Sequence, residues 1–302
     1  MVISSRFSKL LGKIEPNSRD QAIYALHERT VTTRLETIFK TSSVRRIGSY
    51  ARDTSIRTIS DIDLMLILKR EEIRWGDDWK TSDTMLDSVR SELRARYPNT
   101  PVVRDQQAVV VRFGGNQYPI DVVPAFYWSN KAVTWQNGEI NQYPVYMIPD
   151  ANGSWMPTSP DAHNKYLNDA DRMSGGKLKR VVKLIKFWRS CRTPSIPINS
   201  FYVEIWLAAN EICVGVKSYA QCFNDALISM ARDDCSGIED PVGISGNIPA
   251  ANSERKRLTA LNAVKASAGR AEKAIMAENS KNVREAIRQW NIVFNYRFPA
   301  TV

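Results

Sequence analysis

The sequence predicts an α+β protein of two lobes, a mixed sheet with flanking helices followed by a helical C-terminal half. Three observations carry this. Residues 62–68 read IDLMLIL, an apolar run of strand length that suits a central strand covered on both faces. Residues 108–113 and 117–123 read as two arms of a hairpin, joined by Gly114-Gly115-Asn116, which tolerates the positive φ angles of a tight turn. Beyond residue 159, apolar side chains recur at helical spacing, as in the stripe Leu178, Val181, Val182, Ile185 and Trp188.

Taken in order, residues 20–39 place Ile23, Leu26, Thr30, Val31, Leu35 and Ile38 on one face of an amphipathic helix. A short β-prone segment, residues 44–47, follows, and Gly48-Ser49 breaks it as a turn would. Ser60-Asp61 then act as the breaker ahead of the apolar strand. Residues 81–96 are expected to be helical, with Met85, Leu86, Val89 and Leu93 inward, and Tyr97-Pro98-Asn99 ends them. Pro119 puts the start of its hairpin arm at an edge. Residues 133–160, rich in Asn, Gly, Pro and Trp, are read as a long connection between lobes, with the boundary near Ser159. Further helices are expected over residues 201–212, 219–230 and 253–278.

With 302 residues and 43% hydrophobic content the chain can bury a full core. Its 42 Lys and Arg against 32 Asp and Glu leave +10, which favours polyanionic partners without choosing between nucleotides, nucleic acid and an anionic surface. No stretch approaches the roughly 20 apolar residues of a membrane span, and the N-terminal segment lacks the apolar core of a signal peptide, so a cytoplasmic protein without membrane contact is expected. Cys191, Cys213, Cys222 and Cys235 form no CxxC pair and are read as reduced, mostly buried thiols.

The stretch that carries chemistry is IGSYARDTSIRTISDIDLMLIL, residues 47–68. Side chains alternate along a strand, so Asp61 and Asp63 point to one side, where two carboxylates repel unless a cation lies between them. Such hard oxygen donors suit Mg²⁺, with Mn²⁺ able to substitute, and two ions about 3.5–4 Å apart clamp the oxygens of an in-line phosphoryl displacement. Asp121, between Pro119-Ile120 and Val122-Val123, is the natural third carboxylate, because a neighbouring arm brings it beside the first two. Gly48 lets the backbone approach a triphosphate, and the N–H and hydroxyl of Ser49 are suited to donate to its oxygens. A lone DxD is common; the conjunction of Gly-Ser, spacer, DxD on an apolar strand and a later strand-borne Asp is specific.

GSYARDTSIRTISDIDL and PIDVVPAF resemble the two signature segments of the polymerase β-like nucleotidyltransferases, and the first resembles the branch containing oligoadenylate synthetase and cyclic GMP-AMP synthase. Within that branch, the bacterial cGAS/DncV-like nucleotidyltransferases (CD-NTases) of CBASS anti-phage systems are similar in size and layout. KLIKFW and NSFYVEIW match the family's helical Lys and its Ser-aromatic pair, and DPVGISGNIPAA is similar to a loop late in its helical domain. The resemblance implies a palm domain over residues 1–158 with an N-terminal spine helix, and a helical domain over residues 159–302. It implies that Lys186 and Ser200 hold the donor triphosphate and that Phe201 or Tyr202 stacks on a base. From ribonucleoside triphosphates it implies a cyclic di- or trinucleotide, released to an effector protein, with an accessory activating or conjugating protein as a further partner. Lys179, Lys183 and Lys186 fall on one face of their helix and are read as a basic ridge.

Two other readings stand beside this one: a related transferase that modifies RNA, an antibiotic or a protein, and a silent module that binds nucleotides or RNA. Ser174-Gly175-Gly176-Lys177 lacks the spacing of a phosphate loop and is read as a linker. His163 is read as a local hydrogen-bonding residue. Base choice, linkage and ring size are not written in the sequence.

Overall fold

Each strand of the N-terminal half is placed by its apolar alternation, and the result is one mixed sheet. The computed structural model describes residues 2–57, 61–116, 118–135 and 137–299. Ser60, the expected breaker, and Gln117, the expected start of an arm, lie outside these residues. Helices α1 (Val2–Ile14) and α2 (Ser18–Ile38) lead into β1 (Thr41–Ile47), a single helical turn α3 (Gly48–Ala51) and β2 (Ile62–Leu68). A small hairpin, β3 (Arg74–Trp75) and β4 (Asp78–Trp79), precedes α4 (Ser82–Arg96), β5 (Val102–Asp105), β6 (Ala108–Arg112), α5 (Phe113–Asn116) and β7 (Tyr118–Thr134). Next come β8 (Ile140–Pro149) and β9 (Trp155–Thr158).

Among the described residues these strands form a seven-stranded sheet, ordered β1-β2-β7-β6-β5, with β8 paired to β7 and β9 to β8. β1 runs antiparallel to β2, and β2 parallel to β7, so Asp63 pairs with Asp121 in register. Ile62, Leu64, Leu66 and Leu68 of β2 face α2 and α4, where they pack with Val31, Leu35, Leu86, Val89 and Leu93. Burial of each such side chain contributes about 1.5–3 kcal/mol. Met65 and Ile67 point to the opposite face and pack with Ala125 and Tyr146. By the same alternation Asp63 belongs to that second face, away from the helices. Asn17 caps α2 by accepting from Asp20 N at 2.8 Å, and Thr81 caps α4 by accepting from Thr84 N at 3.2 Å.

The second half supplies α6 (Pro160–Met173), α7 (Leu178–Ser190), α8 (Ser200–Ala209) and α9 (Tyr219–Arg232), then the pair β10 (Ile238–Glu239) and β11 (Asn247–Ile248). α10 (Glu254–Asn279) and α11 (Val283–Val293) complete it. Trp188, Tyr202, Phe223, Trp290 and Phe294 anchor the core of these helices, and α1 joins them through Ile3, Phe7, Leu10, Leu11 and Ile14. No helix among the described residues is long and apolar enough to cross a membrane.

The expected strand over 62–68 and helices over 20–39 and 81–96 stand within two residues of their observed bounds. Pro119 sits where expected: β7 begins pairing with β2 only at Ile120, so its start is an edge on that side. Residues 133–160 are corrected. They are not a structureless connection, because β7 runs on to Thr134 and returns through β8 and β9, paired in register from Thr134↔Ile140 to Tyr146↔Thr158. Their aromatic and Pro-rich composition hid the alternation. The helix α1 went unread, although its apolar residues recur at three- and four-residue steps. Gly48-Ser49 opens a turn of helix rather than a bend, and Gly114-Gly115 lie within α5.

Candidate active site

Strand alternation and parallel register act together to build one acidic cluster. Asp61 precedes β2 and Asp63 lies two residues on, while Asp121 is the registered partner of Asp63 on β7. Carboxylate oxygens of Asp61, Asp63 and Asp121 all lie within 4.8 Å of one another. Burial pushes Asp63 up to about 7, with the neighbouring Asp61 charge adding to the rise. Burial likewise pushes Asp121 up to about 8, and Asp61 and Asp63 raise it further. Asp61 is raised by burial too, opposed by its own backbone and by Lys186 and Arg189. Three clustered carboxylates, each raised above the ordinary range by burial, form a donor set matched to a hard divalent cation.

Gly48 closes the cluster from the β1 side. Its φ is +67°, and a Cβ there would fall 1.7 Å from Asp63 Oδ2. Glycine is therefore required by the approach of the backbone to a cluster carboxylate as well as by the left-handed conformation. Ser49 follows in α3, and its carbonyl accepts from Thr54 N at 2.9 Å and Thr54 Oγ1 at 3.3 Å, folding residues 49–54 back towards α8.

The helical residues meet this cluster through a buried ionic network that sequence reasoning missed. Glu204 on α8 is fully buried and accepts from Arg52 Nε at 2.5 Å, from Thr54 Oγ1 at 2.5 Å and from Lys186 Nζ. Burial alone would raise Glu204, but Arg52 and Lys186 together hold it down to about 2. The signal was present in the sequence: Glu204 is the only charged residue of SFYVEIWLAA, and a lone carboxylate in an apolar helix is a buried group in need of partners. Arg189, one turn beyond Lys186, donates from Nη1 to Ile198 O and to Ser200 Oγ, the latter at 3.0 Å.

Lys186 is thus placed beside the acidic cluster, yet not as part of a solvated ridge. Lys183 and Lys186 are buried, with Lys183 Nζ on Glu15 at 3.1 Å and Asp53 at 3.0 Å, which corrects the reading of that helix face. α1 and residues 52–55 cover it. Phe201 is half-buried, with the Arg52 guanidinium 5.3 Å over its ring and His163 edge-on at 5.1 Å. Tyr202 is wholly buried in the helical core, which corrects its assignment as a base-stacking residue. His163 is the hydrogen-bonding residue expected: Nε2 lies 3.1 Å from each Asp240 oxygen. Asp240 also accepts from the N–H groups of Val242, Ile244 and Ser245, fixing the loop that begins DPVGIS. All four cysteines are free and buried.

A mixed sheet bearing three clustered carboxylates beside a helical half suits nucleotidyl transfer, and the matching family model and named relatives make the chain a nucleotidyltransferase. The chain belongs to the SMODS family, the Second Messenger Oligonucleotide or Dinucleotide Synthetase domain, whose model matches residues 1–171, and with it to the cGAS/DncV-like cyclic nucleotide synthases. It is similar to a probable cyclic nucleotide synthase of Bacillus cereus, 25% identical over 282 residues that cover 84% of this chain and 81% of the relative. A cyclic AMP-AMP-AMP synthase of an Acinetobacter species is 23% identical over 324 residues, covering 99% of this chain and 86% of that one. Escherichia coli CdnC, solved with ATP, shares the fold at a TM-score of 0.72 and 19% identity, covering 99% of this chain and 98% of its own.

Proposed function

We propose that this chain joins ribonucleoside triphosphates into a cyclic di- or trinucleotide, releasing pyrophosphate at each step, and that the product signals to an effector protein in anti-phage defence. The observation that carries the reading is the convergence of Asp61, Asp63 and Asp121 within 4.8 Å. The donor set fits two Mg²⁺ ions, or Mn²⁺ in their place: Asp61 and Asp63 would hold both, and Asp121 the one nearer the acceptor. Bound there, the metal pair supplies a lowered pKa for the acceptor ribose hydroxyl and charge to offset the α-phosphate. The protein's own part is positional. Gly48 and Ser49 line the phosphate path, and Ser200 begins the helix that faces it. Phe201, held by Arg52 and His163, is the aromatic surface offered to a base.

In this reading the sheet lobe is drawn from residues 1–158, apart from α1, which packs into the helical core, and the helical lobe from residues 159–302, with the nucleotide between them. The protein works in the cytoplasm, alongside an accessory activating or conjugating protein. The similarity to relatives named as cyclic nucleotide and cyclic AMP-AMP-AMP synthases supports the product class. To test it, the purified chain is incubated with all four ribonucleoside triphosphates and Mg²⁺ or Mn²⁺, treated with phosphatase, and analysed by mass spectrometry. A phosphatase-resistant cyclic species is expected. Pyrophosphate release with label on RNA, a small molecule or a protein would overturn the reading in favour of a transferase.

The raised carboxylates give metal binding a pH signature. Between the unfolded carboxylate range near pH 4 and the folded values of about 7 and 8, the metal-free folded state holds more protons than the unfolded one. Its stability therefore falls as pH rises through that window. A divalent cation removes the repulsion, so the Mn²⁺-induced rise in Tm is expected to be larger at pH 8.5 than at pH 6. Differential scanning fluorimetry at both values checks this, and an equal or larger rise at pH 6 would count against the cluster as the metal site.

A further inference from the structure

We infer that Asp240 is a positioning residue for the base: through His163 it holds the Phe201 ring in the orientation on which a base stacks. The inference deepens the proposed nucleotidyl transfer and rests on it. Three backbone donors converge on the Asp240 carboxylate, Val242 N on Oδ1 at 3.1 Å, and Ile244 N and Ser245 N on Oδ2 at 3.0 and 2.8 Å. A side-chain donor joins them, His163 Nε2, which lies 3.1 Å from each oxygen. An ionised carboxylate only accepts, so Nε2 carries the proton. Both side chains are shielded from solvent, His163 at 2% exposure and Asp240 at 0%. The imidazole is thereby locked in one orientation, and it stands edge-on to Phe201, at 89° and 5.1 Å between ring centroids.

The loop that carries Asp240 is in turn fixed from the sheet. Val242 and Ile244 pack with Val133 of β7, Val145 of β8 and Ala162 of α6, and Lys131 Nζ donates to Gly243 O. Asp240 thus connects the β7–β8 extension to the aromatic side chain at the start of α8. The backbone there has a separate anchor. Asn199, just ahead of Ser200, donates from N to Ala250 O at 2.8 Å and from Nδ2 to Pro249 O at 2.9 Å, in a stretch where Ile248 and Ala250 are buried in the helical core. Ring and backbone of the Ser200-Phe201 pair are therefore held by different contacts, and Asp240 acts on the ring. A half-buried phenyl ring already ordered before binding spares the entropy of ordering it when the base arrives. Asparagine at 240 would offer one acceptor oxygen in place of two and turn an amide N–H towards donors, releasing the imidazole.

The test uses the full chain with Mg²⁺ and measures affinity by calorimetry for inorganic tripolyphosphate and for the α,β-methylene analogues of the four ribonucleoside triphosphates, which cannot release pyrophosphate. His163→Gln keeps a side-chain N–H near the Nε2 position and removes the ring. It is expected to weaken the tightest-bound analogue about fivefold, with tripolyphosphate within about twofold and Tm within about 2 °C of wild type. Asp240→Asn should give the same split between analogue and tripolyphosphate, with a lower Tm. In a Phe201→Leu background, itself weakened for the analogue, either change should add less than about twofold, because the ring through which it acts is gone. Three results would each overturn the inference: unchanged analogue affinity in His163→Gln, equal loss of analogue and tripolyphosphate, or losses that add fully to that of Phe201→Leu. The first decides the matter even if Asp240→Asn does not fold. If the expected pattern appears but wild type releases no pyrophosphate from any natural triphosphate, the positioning stands and the proposed reaction falls. Pyrophosphate release by wild type, with His163→Gln binding as wild type does, leaves the reaction standing and removes the positioning. Wild type that neither binds an analogue nor releases pyrophosphate would overturn both.

Discussion

Asp121→Ala and Asp61→Asn are each expected to lower nucleotide turnover by about a thousandfold or more while the protein stays folded. Both remove a carboxylate from a cluster whose members lie within 4.8 Å of one another. In the metal-free state those carboxylates repel, and burial together with the neighbouring charges drives Asp121 up to about 8. Removing one therefore relieves strain in the folded state, and Tm without metal should hold or rise at pH 8. The two readouts thus move apart: activity vanishes while metal-free stability is kept. A structural aspartate would do the opposite, losing stability first and activity only as a consequence. Pyrophosphate release and fluorimetry on the same preparations check it, and turnover near wild type in either variant would remove the triad from the reaction.

Glu204→Ala is expected to lower Tm by roughly 10 °C, the largest loss of stability of any single substitution considered for this protein. The change strands two cations. Arg52 is 10% exposed and Lys186 3%, and Glu204 is the carboxylate with which each forms its ion pair. Lys186 can shed its proton, since burial already lowers its pKa, but Arg52 cannot. Pairing Glu204→Met with Lys186→Met should return part of the loss, because no unpaired lysine is then buried, and a double-mutant cycle measures the coupling. The sign with pH follows from the depressed value of about 2: the contribution is present above the ordinary glutamate range and is lost as pH falls from there towards 2. A cost within the surface range of about 0.5 kcal/mol would show that the network is not a stabilising centre.

The acidic cluster was legible before any coordinates because its logic is local. A period of two along IDLMLIL puts Asp61 and Asp63 on one side, and the same alternation in PIDVV marks Asp121 as the odd polar residue of a second apolar strand. The helical half was legible for the same reason, since a buried face at 3.6-residue spacing is a property of one segment at a time. What failed were segments whose pattern is set by a distant partner. Residues 133–160 become strands because β8 finds the extended β7, and nothing in their own composition announces that pairing. Lys183 and Lys186 read as part of a basic ridge from their spacing, and they are buried because α1 and residues 52–55 fold over them.

Chain alternation and turn chemistry alone were enough to specify the α+β class, the acidic strand ends and the glycine beside them, since each depends on neighbours within a few residues. Which cations meet Glu204, why Tyr202 is core while Phe201 is half-open, and where α1 docks depend on segments that only packing brings together, several of them more than a hundred residues apart in sequence. Lys186 meets Thr54 across 132 positions and Arg52 meets Glu204 across 152. Hydrogen-bond capacity and burial are properties of the assembled core, so the bracing role of Lys186 exists only once the chain has folded.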